Sequence, residues 1–464
     1  MASPGRHFHF IGISGSAMGP VAAALRKRGY QISGSDAKTY EPMLSFLQQQ
    51  GIEVLQGYQA SNIPAAADVI VIGNAISRGN EECEEVLNRR LLYTSLPELL
   101  KHHFLPGRRN YVVAGTHGKT TTASLLAWVF ECAGHNPSFM IGGLTRNFGT
   151  GARFTDSEFF VLEGDEYDTA FFDKRSKFVH YLPELVVVNN IEFDHADIYK
   201  NIEEIKLSFS RLLRIVPKNG LVLVNGDDVN SLDAARECPA PLKLVGLGPE
   251  CEWRISDLAS EASGFSFRLN GEPFSVSLDG EFNVRNAAMT IAAARFAGLP
   301  DTSIREGLAT FQGVSRRQEV RGVTAGGVRI IDDFGHHPTA IRQTADALRG
   351  RHLKNGGSLW AVFEPRSNTT RRKVFQNDLV HALSAADGAV LTPIPDAHKV
   401  PEAERLDVEQ LLSDLQRVRD IPCFLEADSD AVVARLQPLV KSGDLVVVFS
   451  NGGFDGIHQK LLAM

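Results

Sequence analysis

The segment GTHGKTTT, Gly115 to Thr122, follows the apolar run YVVA and precedes the helical pattern ASLLAWVF. Its residue types suit a phosphate. Gly115 and Gly118 permit a tight turn that presents backbone N–H groups to an anion. Lys119 can set its ammonium against phosphate oxygens, and Thr120 can offer a hydroxyl to Mg²⁺. The helix that follows points its N-terminus at the same place, and Thr116, His117 and Thr121 complete the loop. The spacing departs from G-x-x-x-x-G-K-[ST], since Val113 stands where the first glycine belongs. A strand–turn–helix with an exposed lysine is the alternative reading.

A phosphate-bound Mg²⁺ needs a carboxylate on a neighbouring strand end. Glu163 ends the run FFVLE and is followed by Gly164, Asp165 and Glu166; because it continues the strand, it is the candidate ligand beside Thr120. Three acids in four residues also fit a solvated turn. The next strand end, NNIEFDHADIY, offers Asn189, Asn190, Glu192, Asp194, His195 and Asp197, with His195 as a second metal position. A lone histidine is more often structural. The basic loop FFDKRSKF suits an acidic substrate, or simply water.

Further along, Asn283 and Asn286 share one face of a helix start, although asparagines there also serve as caps. Arg316 and Arg317 lie in a hinge from which a guanidinium can reach a nucleotide. The strand end IIDDFGHHP carries Asp332, Asp333, His336 and His337, and an acid there can hold an adenosine ribose or a catalytic lysine. At the N-terminus, GISGSAMG supplies Gly12, Ser14, Gly15, Ser16 and Met18, with Asp36 at the end of the following strand pattern. That is a partial dinucleotide fingerprint, with Ser14 in place of its second glycine; a UDP-sugar diphosphate would suit the same loop.

These residues stand where strands end, and β-rich runs alternating with helical patterns must position them. The pattern predicts an α/β protein with parallel sheets, whose ligands gather beyond the carboxyl ends of the strands. Strands are expected at 8–12, at VIVIG, YVVAG, FFVLE, LVVVNN and LVLVN, and later at VRIIDD, SLWAVFE, GAVLTPI and LVVVFS. Alternation and an Asn-Gly turn between about 240 and 280 predict a small antiparallel piece. Breaks near FLPGRRN and FQGVSRR divide the chain into 1–107, 108–314 and 315–464: a Rossmann-like domain, a phosphate-loop domain and a second Rossmann-like domain.

The 464 residues carry 22% charged and 43% hydrophobic side chains and a formal net charge of −7. That balance suits a soluble globular protein and argues against nucleic acid as a partner. Five cysteines show no C-x-x-C spacing, so a reducing compartment is expected. No signal peptide or membrane-spanning run is recognisable. A cytoplasmic protein with no obligate protein partner is the expectation.

Taken in order, GTHGKTTT, EGDEYD, IEFDHADIY, EFNVRNAAMTIAAA, VSRRQE and DDFGHHPTA resemble the Mur ligase family. These are three-domain enzymes that use ATP to join amino acids or peptides to UDP-N-acetylmuramate. The resemblance spans essentially the whole chain. It implies ATP at Gly115–Thr121, Asn286, Arg317 and Asp333, and Mg²⁺ at Thr120, Glu163 and His195. Lys119, His195, Asn283, Arg317 and Asp333 take catalytic roles, and Gly12, Ser14, Gly15, Ser16, Met18 and Asp36 hold the UDP-sugar.

Two further stretches, SGSDAKTYEPMLSFLQQQGI and the run from EGDEYD through FFDKRSKF to IEFDHADIY, resemble members that attach the intact tripeptide L-Ala-γ-D-Glu-meso-diaminopimelate. The N-terminal loop and DDFGHHP are closer to members that attach L-alanine, which leaves that reading open. Some family members carbamylate a lysine after the histidine motif; Lys206 is the nearest here and falls short of that position. Arg366, at a strand end, is the candidate contact for diaminopimelate. An NAD-dependent oxidoreductase built on GISGSAMG and Asp36, and a regulatory ATPase, are the other readings.

Overall fold

The structure, a computed structural model, describes residues 5–38, 43–261, 263–353 and 356–464. The start of the chain and the 39–42 portion of SGSDAKTYEPMLSFLQQQGI lie outside the described residues. Two compact units are formed: one from 1–191, 203–255 and 286–311, the other from 192–202, 256–285 and 312–464.

The first unit opens with β1 (His7–Ile11), β2 (Gln31–Asp36), β3 (Val54–Gln56), β4 (Val69–Ile72) and β5 (Tyr93–Ser95). They form a parallel sheet in the order β3-β2-β1-β4-β5. The order reverses at β1, so the loop from Gly12 to Met18 leaves the sheet at its switch point, where α/β proteins bind ligands. FLPGRRN is tied down: Phe104 and Leu105 are buried, and Arg109 meets Glu184 at 2.8 Å.

The next strands are β6 (Arg109–Ala114), β7 (Ser138–Thr145), β8 (Thr150–Arg153) and β9 (Phe159–Gly164). A short hairpin, β10 (Asp168–Ala170) and β11 (Asp173–Ser176), precedes β12 (Leu185–Val188), β13 (Leu221–Asn225) and β14 (Leu242–Gly246). Their order is β14-β13-β12-β6-β9-β7-β8. Within these seven strands only β8 runs antiparallel to its neighbour. The apolar runs of β6, β9, β12 and β13 are buried on both faces, as parallel sheets covered by helices require. Strand β6 lies between β12 and β9, so its loop receives side chains from both neighbours.

Burial on both faces also traps polar residues. In β1, His7 Nε2 and His9 Nδ1 both meet Ser33 Oγ, at 2.7 and 2.8 Å. Burial, then the neighbouring His7, lowers the His9 pKa from 6.5 to about 4. The neutral ring is therefore favoured by folding, so stability is complete above the unfolded pKa and lost as pH falls towards the folded one. Chemical denaturation should show a loss of about 2 kcal/mol between pH 7 and pH 5 from this group. His9→Leu should remove most of that slope; an unchanged slope would assign it elsewhere.

Strand β15 (Trp253–Glu261) carries the chain into the second unit. There β16 (Gly264–Leu269) and β17 (Glu272–Val276) form the expected antiparallel hairpin. Asn270 and Gly271 turn it, with φ of 52° and 82°, the conformation for which Asn-Gly is favoured. The remaining strands are β18 (Glu319–Val323), β19 (Arg329–Asp333), β20 (Leu359–Phe363), β21 (Gly388–Leu391), β22 (Cys423–Leu425) and β23 (Leu445–Phe449). They run β18-β19-β23-β20-β21-β22, with only β18 antiparallel to its neighbour. Strands β18 and β22 escape the sequence reading because both are edges: β18 is largely exposed, and β22 has three residues.

Candidate active site

The loop after β6 is shaped from behind by the end of β12. Thr116 N–H donates to Asn190 O at 2.9 Å, and His117 N–H to Asn190 Oδ1 at 2.8 Å. A Cβ on Gly115 would stand 3.0 to 3.1 Å from Asn189 Cβ and the amides of Asn189 and Asn190. Gly118 caps the helix Lys119–Cys132 with φ 78°. A Cβ there would stand 2.6 Å from Asn286 Oδ1 and 2.8 Å from Asn189 Nδ2. Asn189 and Asn190, which the sequence places at this strand end beside His195, mould the loop. Asn286 is brought to it from a distant helix.

Lys119 does not project into solvent. Its Nζ donates to Gly115 O at 2.7 Å and to Glu166 Oε2 at 2.8 Å. Burial works to lower its pKa, but the carboxylates of Glu166, Asp165 and Glu163 outweigh this, and the net shift is upward. Thr120 Oγ1 donates to Glu163 Oε1 at 2.8 Å, and Gly142 N–H to Oε2 at 2.6 Å. Burial first, and Asp165 second, raise the Glu163 pKa. A buried carboxylate beside a hydroxyl, kept short of its own countercharge, is a hard-oxygen pair that fits Mg²⁺.

The basic segment after Glu163 is ordered through its own acids rather than left as an open loop. It forms the β10–β11 hairpin, with Arg175 on Asp173 at 2.8 Å and Lys177 on Asp165 at 3.6 Å. His180 Nε2 also meets Asp173, at 3.0 Å. Lys206 is likewise occupied, by Asp233 at 2.8 Å and Glu203 at 2.5 Å. Hydrogen bonds to these carboxylates raise its pKa, which favours the ammonium over the neutral amine that carbamylation requires.

At the N-terminal loop, Ser14 N–H donates to Asp36 Oδ2 at 2.9 Å. Gly15 turns back on Gly12 O at 3.2 Å. Met18 is buried at the start of its helix, and Ser16 is exposed. Sequence reasoning missed Glu82, which is fully buried behind this loop. It accepts from Asn62 Nδ2 at 2.6 Å and from Ser35 Oγ. Burial raises its pKa despite those donors. Within N-E-E-C-E-E nothing but helical phase separates this inward acid from its solvated neighbours.

The second unit gathers the other candidates. Asp194 Oδ1 accepts from His195 N and Thr369 Oγ1, each at 2.7 Å. Although burial opposes its charge, the imidazoles of His336, His195 and His337 hold its pKa well below the usual range. Glu192 Oε2 accepts from Thr339 Oγ1 at 2.6 Å, and His337 Nε2 lies 3.1 Å from Phe193 O. The segment around His195 is thus tied to the loops after β19 and β20. His195 itself has φ 51°.

Asp333 accepts from Gln318 N–H at 2.8 Å and Gly335 N–H at 2.7 Å, and burial raises its pKa. Arg317 lies 5.2 Å over the Phe334 ring. Arg316 is committed to Asp332 at 3.2 Å and Ser450 O at 2.7 Å, so Arg317 is the hinge arginine that remains beside Asp333. Asn283 Nδ2 donates to Asp279 O at 2.7 Å, tying the start of the helix Glu281–Phe296 to the segment before it. Arg366 pairs with Glu364 at 3.1 Å, and Glu364 also accepts from Ser450 Oγ at 2.5 Å.

Family models match three consecutive segments: "Mur ligase family, catalytic domain" over 7–106, "Mur ligase middle domain" over 113–294, and "Mur ligase, glutamate ligase domain" over 316–452. The chain belongs to the Mur ligase family. It is 42% identical over 461 residues to the UDP-N-acetylmuramate–L-alanyl-γ-D-glutamyl-meso-2,6-diaminoheptandioate ligase of Escherichia coli (strain K12), covering 98% of this chain and 97% of that one. A murein peptide ligase structure from Psychrobacter arcticus 273-4 is similar at 32% identity and TM-score 0.73, over 99% of this chain and 98% of that one. A UDP-N-acetylmuramate-alanine ligase from Thermotoga maritima, 19% identical, shares the fold with TM-score 0.78 over 98% of both chains. The mixed α/β architecture expected from the sequence is that of the Mur ligases, whose members are ATP-dependent amide-bond ligases.

Proposed function

We propose that this chain joins L-Ala-γ-D-Glu-meso-diaminopimelate to UDP-N-acetylmuramate, using ATP, by way of an acyl phosphate. The observation that carries the reading is its near-full-length identity to the Escherichia coli ligase of that name. The Lys119–Thr120–Glu163 geometry supplies a matching chemistry. In this reading 1–107 holds the UDP-sugar, 108–314 the ATP, and 315–464 closes over both. The muramate carboxylate attacks the γ-phosphorus, releasing ADP. The L-Ala amine of the tripeptide then attacks the acyl carbon, and phosphate leaves as the amide forms.

Catalysis here is mostly positioning and charge neutralisation. The N–H groups of Gly115 to Thr121 and the Lys119 ammonium surround the phosphates. Thr120 and Glu163 would hold Mg²⁺, with His195 at a second position, and a bound ion would supply charge neutralisation at the phosphate oxygens. Asn286, Arg317 and Asp333 secure the nucleotide, while Asn283 supports the helix start. Gly12, Ser14, Gly15, Ser16 and Met18 wrap the UDP diphosphate, and Asp36 accepts from a sugar or ribose hydroxyl. Arg366 contacts diaminopimelate. We place the reaction in the cytoplasm, where nucleotide sugar and ATP meet; no described helix is long and apolar enough to cross a membrane.

The test is substrate choice. Phosphate release with the tripeptide should exceed that with free L-alanine by about a hundredfold or more in kcat/KM, because a site built around polar groups rejects analogues that leave them unpaired. Faster turnover of free L-alanine would assign the chain to the L-alanine branch instead.

A further inference from the structure

Glu166 is buried, at 2% exposure, and its carboxylate grips Lys119 with Oε2 at 2.8 Å and Oε1 at 3.2 Å. Neither the metal pair nor the reaction as derived above uses it. Around the same ammonium lie Glu163, which accepts from Thr120, and Asp165, which reaches Lys177 at 3.6 Å. Among the described residues these contacts bring three carboxylates and two ammonium groups together. Phosphate loops usually meet their anion with a surplus of positive charge, whereas this one has its lysine already neutralised.

We propose that Glu166 is a positioning residue that makes nucleotide binding selective for the magnesium complex over the metal-free anion. The inference rests on the nucleotide-binding reading of GTHGKTTT. While Lys119 is held by Glu166 and Lys177 by Asp165, an incoming metal-free triphosphate meets the charge of Glu163 and is repelled. A triphosphate that arrives with its cation brings the charge that Glu163 and Thr120 are arranged to accept. Lys119 can then swing one N–H from the Gly115 carbonyl to a phosphate oxygen while Glu166 keeps its stem aligned. With glutamine at 166 one carboxylate charge is gone, Lys119 is free to attract phosphate, and the discrimination falls.

Titration calorimetry with ATP in excess Mg²⁺, and with ATP in EDTA, reads this directly. For Glu166→Gln, affinity for metal-free ATP should rise about tenfold, as expected for removing one partly screened unit charge within a few ångströms. Affinity for Mg-ATP should stay within about threefold. Glu166→Asp, which keeps the charge, should retain the wild-type ratio. Parallel changes in both forms, or none, would overturn the proposal and leave Glu166 a purely structural support.

If Glu166→Gln does not fold, the wild-type protein still decides. Screening weakens repulsion, so metal-free ATP should bind no more weakly as ionic strength is raised from about 0.02 to 0.2 M; a marked weakening would overturn the proposal. Wild-type protein that binds neither form would refute the nucleotide reading itself. That result is distinguishable from tight Mg-ATP binding with no effect of Glu166.

Discussion

Lys119→Ala should abolish ADP formation while leaving UDP-N-acetylmuramate binding within about threefold of the wild type. The lysine is the one ammonium on the phosphate loop, and it is held at the loop's centre by Gly115 O and Glu166. Removing a charge that stabilises a transferring phosphoryl group costs about a thousandfold or more in turnover. The Gly12–Met18 loop and Asp36 belong to another sheet, and their Ser14–Asp36 hydrogen bond is independent of Lys119. Steady-state ADP release and calorimetry with the sugar nucleotide separate the two effects. Turnover that survives the substitution would remove the phosphate-loop assignment. The same variant should also lower the thermal midpoint, because truncating one partner of a buried ion pair leaves the Glu166 carboxylate without the Lys119 charge.

The second large effect is expected at Gly118. With φ at 78° and a built Cβ only 2.6 Å from Asn286 Oδ1 and 2.8 Å from Asn189 Nδ2, alanine has no room. The left-handed backbone costs about 1–2 kcal/mol for a residue with a Cβ. Displacing two buried amides costs about 1–3 kcal/mol more. Asn189 also donates to Thr122 Oγ1 at 3.1 Å, so a shift would spread into the first turn of the helix. Gly118→Ala should therefore weaken Mg-ATP binding by at least about thirtyfold, roughly 2 kcal/mol. Gly134→Ala is the control: its φ is 80°, but nothing lies within 4 Å of its built Cβ. It should show a small loss of stability and unchanged nucleotide affinity. Equal effects from both substitutions would mean that backbone conformation, rather than the Asn189–Asn286 wall, limits position 118.

Much of this site is legible in the sequence because its residues sit in local patterns. A phosphate loop is a turn between a strand and a helix, so Gly115, Gly118, Lys119 and Thr120 announce themselves within a few positions. Glu163 is readable because the apolar run before it identifies a strand and places it at that strand's end. The Asn-Gly hairpin follows from two adjacent residues suited to positive φ. Edge strands β18 and β22 are not readable in this way: exposure or shortness erases the apolar signal on which strand recognition depends. Glu82 and Glu166 are hidden for a different reason. Each stands among other acids, and only packing selects which one turns inward.

By itself, then, the order of residues determined the α/β class, the strand-end placement of the candidate groups and the family, all of which depend on local periodicity and short motifs. Tertiary structure decided which of these groups touch. It made Asn189 and Asn190 the wall of the loop and set Asn286 against Gly118. It committed Arg316 to Asp332 and placed Glu166 on Lys119. Such pairings join residues far apart in the chain, and their partners are chosen by the packing of strands and helices in space; spacing along the sequence carries no record of them.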